Sequence, residues 1–412
     1  MRALYLSHTG MTEPLGQSQV LPYVRGLVQA GWDIDIVGFE PADAPPEEIA
    51  RTEAELRALG VGYFWTRRSP SHALAVKVRE SAGALLRLAR RAILPGRRPS
   101  IIHARSYLPG AVAQTLAAAL PGARFLFDCR GLLGDEYLDA GIITRESFRY
   151  RLIKQAERRL FRGADGVVVL TERLRRWLRE EAGLVRPATP VEVIPCCVDL
   201  GRFRIDAAAR AAARESLGAG DRFVLVYSGS LGSWYYEEEM ARLFAALRRR
   251  RRALFLVLTR SPSERLRAAL ASLGVPEADV VVRPAAPRDM PQLLAAGDGA
   301  VSFIAPCFSK IASSPTKIAE YLAVGLPVVM NEGVGDGDEL IREVPAVIGA
   351  GALGPAEIEA AAERLLTLAA GERDALQESA RRAAAARFSL AEVGVPRYRR
   401  IYRQLLGEQL SI

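Results

Sequence analysis

The chain has 412 residues, of which 50% are hydrophobic, 25% charged and 7% aromatic, and its formal net charge is +9. Those fractions suit two soluble domains of ordinary size and exclude a collagen-like, coiled-coil, disordered or disulfide-scaffold protein. The positive charge is an arginine excess, with only four lysines (Lys77, Lys154, Lys310, Lys317) among 56 basic residues, and it lacks the interleaved aromatics or modules of a nucleic-acid binder.

In chain order, Met1-Arg2-Ala3-Leu4-Tyr5-Leu6 reads as a first strand rather than a signal peptide. No run of about 18 apolar residues follows, so no membrane-spanning helix is expected. Cys129, Cys196, Cys197 and Cys307 show no disulfide or metal spacing, which predicts a reduced, cytoplasmic chain. Short runs rich in Val, Ile, Leu and Phe predict strands at 3–7, 33–39, 61–65, 101–104, 124–128, 166–170 and 191–194. Helical patterns lie between them at 19–30, 73–93 and 145–162. The pattern lapses into a polar connection at 195–219 and restarts with strands at 223–228, 254–258, 280–283, 299–304, 327–330 and 346–348. Helices are expected at 238–249, 263–273, 288–296 and 315–324, and residues 354–410 are almost wholly helical in pattern. Apolar strands alternating with helices predict doubly wound parallel sheets, covered on both faces. The expected organisation is an α/β chain of two Rossmann-like domains facing across a cleft, 1–200 and 201–390, with a closing helix at 391–412 that returns to the first domain. Ligands of such sheets sit beyond the carboxyl ends of the strands.

The strongest motif is Ser313-Ser314-Pro315-Thr316-Lys317-Ile318-Ala319-Glu320-Tyr321, ended by Gly325-Leu326-Pro327 and a strand. Ser313 or Ser314 can cap a helix whose first turn holds Pro315. Free N–H groups at a helix start bind anions, Lys317 adds a point charge for phosphate, and Glu320 can accept from ribose hydroxyls. These parts suit a nucleoside diphosphate; an ordinary capped helix with solvated Glu and Lys is the plain alternative.

The segment resembles the nucleotide-sugar signature of GT-B glycosyltransferases, specifically the retaining family-four group. Other stretches agree in order and spacing. Pro14-Leu15-Gly16-Gln17-Ser18-Gln19 stands where that family has a glycine loop near the donor phosphates, and Tyr227-Ser228-Gly229-Ser230-Leu231-Gly232 follows the first strand of the second domain. Ala164-Asp165-Gly166-Val167 and Ile194-Pro195-Cys196-Cys197-Val198-Asp199 resemble the last strands of the first domain, and Ile401-Tyr402 the closing helix. The resemblance implies donor-binding roles for Gly16, Gly229, Ser230, Ser314, Thr316, Lys317 and Glu320. It also implies a nucleotide-diphosphate sugar as co-substrate, with no cofactor and no obligatory metal. Two departures stand out: Ala312 replaces the first of the family's two glutamates, and Ser230 stands near the place of its arginine. Arg260, after the next strand, is the candidate replacement at the diphosphate or else a solvated arginine.

In the first domain, His103-Ala104-Arg105 and Asp128-Cys129-Arg130 both follow strands. His103, Asp128 and Arg130 are the candidate catalytic residues at the acceptor; alternatively Asp128 caps a turn, Arg130 pairs with it, and His103 is a satisfied core histidine. Trp234-Tyr235-Tyr236-Glu237 either stacks on a base or sugar, or opens a helix with a favourable acidic turn. Residues 71–98 carry seven positive side chains against Glu80 among apolar ones, as a basic amphipathic helix on an anionic membrane would, or as a solvated helix with one face on the core.

The expected function is sugar transfer from a nucleotide-diphosphate donor to a glycan or lipid-linked acceptor, in surface polysaccharide or glycolipid assembly, in the cytoplasm at the inner face of the plasma membrane. The rivals are a non-hydrolysing sugar-nucleotide epimerase and an inactive GT-B carbohydrate- or nucleotide-binding protein. A dehydrogenase is disfavoured because no G-x-G-x-x-G follows the first strand.

Overall fold

The computed structural model describes residues 1–68, 74–93, 98–204, 206–371 and 373–408. The chain divides into two compact units, Met1–Pro195 together with Leu390–Ile412, and Cys196–Ser389.

The first unit is built on seven strands: β1 (Arg2–Ser7), β2 (Asp33–Glu40), β3 (Gly62–Arg67), β4 (Ile101–Arg105), β5 (Arg124–Asp128), β6 (Gly166–Val169) and β7 (Val191–Val193). All pair in parallel, in the order β3-β2-β1-β4-β5-β6-β7. The second sheet holds β8 (Phe223–Ser228), β9 (Ala253–Leu258), β10 (Val280–Arg283), β11 (Gly299–Ser302), β12 (Val328–Met330) and β13 (Val347–Gly349), parallel in the order β10-β9-β8-β11-β12-β13. The central strands β1, β4, β8, β9 and β11 are buried at every residue because helices cover both faces. That is why they read as continuous apolar runs rather than alternating ones. In each sheet the winding reverses between the first strand and the fourth, β1/β4 and β8/β11, and these are the switch points where ligands of such sheets bind.

Three local expectations change. The region at 14–19 is a helix, Pro14–Gln19, not a loop. The helix expected over 19–30 runs Leu21–Gln29: the backbone turns aside at Val20 (φ −123°), which parts it from the helix Pro14–Gln19, and Pro22 sits in its first turn, where no N–H is needed. The helix Thr316–Ala323 has Pro315 at its N-cap and no side-chain cap, because the hydroxyl of Ser314 accepts instead from the backbone N–H of Cys196 at 3.1 Å.

The closing helix, Val395–Leu405, belongs to the first unit. Gly26 lacks the Cβ that would collide with Val395, Arg397 donates to the Val193 carbonyl at 2.6 Å, and Tyr398, Ile401 and Tyr402 are buried. Residues 409–412 of the expected closing segment lie outside the described residues, as do 71–73 and 94–97 of the basic stretch. Among the described residues no helix is long and apolar enough to cross a membrane.

Candidate functional site

In the second unit the site is assembled at the β8/β11 switch point. β8 ends at Ser228, and Gly229 follows at φ +125°, a conformation that favours glycine. A Cβ on Gly229 would stand 3.0 Å from the Lys317 ammonium, so the turn after β8 lies directly against the first turn of the helix Thr316–Ala323. Two motifs separated by almost ninety positions in sequence thus meet at one amine.

Tyr321 fixes that meeting. Its fully buried hydroxyl accepts from the backbone N–H of Ser228 at 2.6 Å and bonds the Ser228 hydroxyl at 3.0 Å. Lys317 is 8% exposed and its ammonium has no hydrogen-bond partner among the described residues. It lies 4.0 Å from the Tyr227 ring centre and 4.6 Å from that of Tyr235. Cation–π contact compensates part of its desolvation, and the missing hydrogen bonds leave the ammonium ready for an anion. Burial pushes Lys317 down to about 7, against the pull of Glu320. Burial likewise lifts Glu320 to about 7, opposed by Arg202 and Lys317. Above them, the backbone N–H groups of an uncapped helix start offer an anion further donors.

The neighbouring loops close around this point. Trp234 carries the ammonium of Lys310 4.0 Å from its ring centre, and Lys310 is itself only 7% exposed. Asn331, after β12, clasps both the N–H and the carbonyl of Ile304 at 2.8 Å. Glu237 is buried and accepts from Gly232 at 2.9 Å, so the acidic turn braces its own loop. The rings of Trp234 and Tyr235 are therefore engaged with lysines. Thr316 stands at the first helical position. Ser230 is exposed, and its carbonyl accepts from the Tyr227 hydroxyl. Arg260 is exposed on the loop after β9. Gly16 lies in the other unit and is buried, where its missing side chain lets the helix Pro14–Gln19 pack on the Gly10 backbone, whose oxygen would stand 2.0 Å from a Cβ.

In the first unit, β4 and β5 bring His103 and Asp128 together beneath the closing helix. His103 bonds the Tyr402 hydroxyl through Nδ1 at 2.8 Å and faces Asp128 through Nε2 at 3.5 Å. Asp128 also accepts from Tyr398 at 3.0 Å and Arg130 at 3.2 Å, with Arg105 3.7 Å away. The His103 and Asp128 side chains are 1% and 0% exposed, whereas Arg130 retains 12%. Burial lowers the His103 pKa more than its hydrogen bond to Asp128 raises it, which keeps the ring neutral at pH 7. Burial would raise the Asp128 pKa, but Arg130, the His103 hydrogen bond and Arg105 hold it well below the usual carboxylate range. As placed here, His103 and Asp128 form an internal polar network, and only Arg130 of the three reaches outwards.

Sequence reasoning missed Tyr227 and Tyr321 as parts of the lysine's box, Tyr398 and Tyr402 as partners of the buried pair, and Glu40. Glu40, at the end of β2, accepts from the backbone of Met11 at 3.0 Å and of Thr12 at 3.3 Å and so sets the loop after β1. Buried acids and tyrosines at strand or helix ends were the available signal.

Residues 16–197 match the glycosyl transferase 4-like domain. No curated protein matches the sequence. Among solved structures, sucrose-phosphate synthase from Thermosynechococcus elongatus superposes with a TM-score of 0.74 at 17% identity, covering 98% of this chain and 99% of that one. The Anabaena protein HepE in complex with UDP and glucose gives 0.71 at 16% identity, covering 98% and 99%. WaaG, a glycosyltransferase involved in lipopolysaccharide biosynthesis, gives 0.65 at 16% identity, covering 95% and 98%. These likenesses span essentially the whole chain and both sheets.

Proposed function

We propose that the chain, which shares the GT-B fold, is a nucleotide-sugar-dependent glycosyltransferase of the family-four type whose second unit holds the donor at the start of the helix Thr316–Ala323 and whose first unit holds the acceptor. The observation that carries the donor assignment is the buried ammonium of Lys317, unpartnered by hydrogen bonds among the described residues at a helix start without a side-chain cap. The diphosphate lies on the first-turn N–H groups with Lys317 beside it, and Glu320 takes the ribose hydroxyls one turn on. As the glycosidic bond to the leaving diphosphate lengthens, negative charge grows on the bridging oxygen. The ammonium and helix dipole stabilise that charge, so less barrier remains. Thr316, Gly229, Ser230 and Ser314 frame the pocket, and Arg260 reaches the diphosphate from the loop after β9. Gly16 shapes the corresponding turn of the first unit.

In the first unit we assign Arg130 to ligand contact, with Asp128 and His103 as positioning residues that fix its guanidinium. Transfer proceeds with retention and without an obligatory metal. The acceptor is a glycan or lipid-linked molecule of surface polysaccharide or glycolipid assembly, at the cytoplasmic face of the membrane. HepE, solved with UDP and glucose, and WaaG, involved in lipopolysaccharide biosynthesis, support a uridine donor and an envelope product. The exposed Arg79, Arg87, Arg90 and Arg91 of residues 71–98 supply charge for an anionic membrane, and Val78 is exposed beside them while Leu85 and Ala89 are buried.

The test is thermal stabilisation by UDP, GDP, ADP and CMP, each with and without its sugars. A ligand at 100 times its Kd adds about 2.7 kcal/mol to the stability of its site. The expected result is a selective rise with one diphosphate, UDP first. No rise with any nucleotide contradicts the donor assignment.

A further inference from the structure

The segment between β11 and the helix Thr316–Ala323 holds a second buried cation that the donor site as described does not use. Lys310 lies in the 3-10 helix Phe308–Ala312, is 7% exposed, and is fixed through its backbone. Its N–H donates to Cys307 at 3.0 Å, and its carbonyl accepts from Gly335, on the loop after β12, at 2.8 Å. Its ammonium lies 4.0 Å from the Trp234 ring centre and makes no hydrogen bond or ion pair among the described residues. The indole Nε1–H of Trp234 is also buried without an acceptor there. No acid stands in the chain between Asp298 and Glu320. Glu237, on the loop of Trp234, spends one carboxylate oxygen on the Gly232 N–H, and its other oxygen meets no donor, so it serves neither group. An ammonium and an indole N–H can only donate, and burying both without an acceptor is costly. A sugar hydroxyl both gives and takes hydrogen bonds and carries no charge. A carboxylate only takes them, has room for several, and neutralises the lysine.

The order of the groups follows that of a nucleotide sugar. Glu320, assigned above to ribose, lies one turn into the helix; Lys317, assigned to the diphosphate, lies in its first turn; Lys310 precedes the helix start. Adjacent aromatic residues join the two lysines, since the Tyr235 ring centre is 4.6 Å from the Lys317 ammonium and Trp234 carries that of Lys310. The part of the donor beyond the diphosphate is the sugar. We propose that Lys310 and the Trp234 indole N–H read a carboxylate on that sugar, so that the donor is a nucleoside-diphosphate uronic acid rather than a neutral hexose. This rests on the donor site given above and names its sugar class. The ammonium and the indole N–H each donate to a carboxylate oxygen, and the Trp234 ring holds the ammonium in place from below. A neutral hexose leaves the ammonium buried and without a counter-charge, and that difference sets the preference.

The test is calorimetric titration of the full chain with UDP, UDP-glucose and UDP-glucuronate, for wild type, Lys310→Met and Trp234→Phe. If the thermal panel selects GDP, the probes are GDP, GDP-mannose and GDP-mannuronate. Wild type should bind the uronate at least about tenfold more tightly than the neutral sugar nucleotide. Lys310→Met should keep wild-type affinity for the nucleoside diphosphate and lose the preference. Trp234→Phe keeps a ring beneath the ammonium and removes only the N–H, so the preference should narrow about threefold. Equal binding of the two sugar nucleotides by wild type overturns the proposal, while binding of the nucleoside diphosphate leaves the donor site standing. A Lys310→Met protein that melts like wild type but has lost affinity for the nucleoside diphosphate also overturns it, and assigns Lys310 to the diphosphate instead. Failure of wild type to bind the nucleoside diphosphate at all overturns the donor site and this proposal together.

Discussion

In the proposed donor site the chemistry concentrates in one side chain, Lys317. An amine buried over two tyrosine rings with no hydrogen bond among the described residues is costly, and the diphosphate proposed to bind there would relieve that cost. The pKa directions fix how affinity should vary with pH. Lys317 is pushed down to about 7, so above that pH the free protein loses the cation and nucleotide binding must recover a proton. Glu320 is pushed up to about 7, so below that pH it loses the carboxylate proposed to accept from ribose. Nucleotide affinity should therefore fall on both sides of about 7, with apparent values that belong to the pair. Calorimetric titration across pH 6 to 9 checks this, and Lys317→Arg should flatten the alkaline side because arginine stays charged. Gly229→Ala should weaken the same site: its φ of +125° is strained for any other residue, and its Cβ would press on the ammonium at 3.0 Å. A loss of about 1–3 kcal/mol in stability together with a raised donor KM is the expected result, read by thermal melting and initial rates.

At the scale of elements, the helix Thr316–Ala323 is useful because of what it lacks. Ser313 and Ser314 advertise a capped start, but the Ser314 hydroxyl is committed to Cys196 and the N-cap is Pro315, which leaves the N–H groups for a ligand. Sequence pattern could place this helix and its Lys and Glu, because helix signals are local. It could not reveal Tyr321 as the link to β8, since that contact joins residues 93 positions apart. Tyr321→Phe should leave the Ser228 N–H buried and unpaired, costing about 1–3 kcal/mol and loosening Lys317 against Gly229. Denaturant titration gives the first effect and nucleotide affinity the second. The strands were legible for the opposite reason: burial on both faces writes continuous Val, Ile and Leu runs that need no partner to be recognised.

At the scale of the whole molecule, the closing helix ties the end of the chain to β4 and β5. His103 and Tyr402 are 299 positions apart, a separation no local pattern reports, and the residues that sequence reading places at an acceptor are mostly sealed beneath that helix. Asp128 and His103 both have folded pKa values below their unfolded ones, so their stabilisation is complete above about pH 6.5 and is lost as the pH falls. The melting temperature of the first unit should decline from that pH downwards, and His103→Gln should remove the part between pH 5 and 7. Asp128→Asn strands the charges of Arg130 and Arg105 and should cost about 3–5 kcal/mol, seen as a lower melting temperature even at pH 8.

The most direct measurement is calorimetric titration of UDP into the full chain, alongside Lys317→Ala and Glu320→Ala. Wild type should bind; the lysine variant should lose at least about tenfold through diphosphate stabilisation; the glutamate variant should lose roughly 2 kcal/mol, or about thirty-fold, through ribose contact. GDP or ADP replaces UDP if the thermal panel selects it. Binding of the selected nucleoside diphosphate with equal affinity by all three proteins would contradict a donor site at the start of the helix Thr316–Ala323.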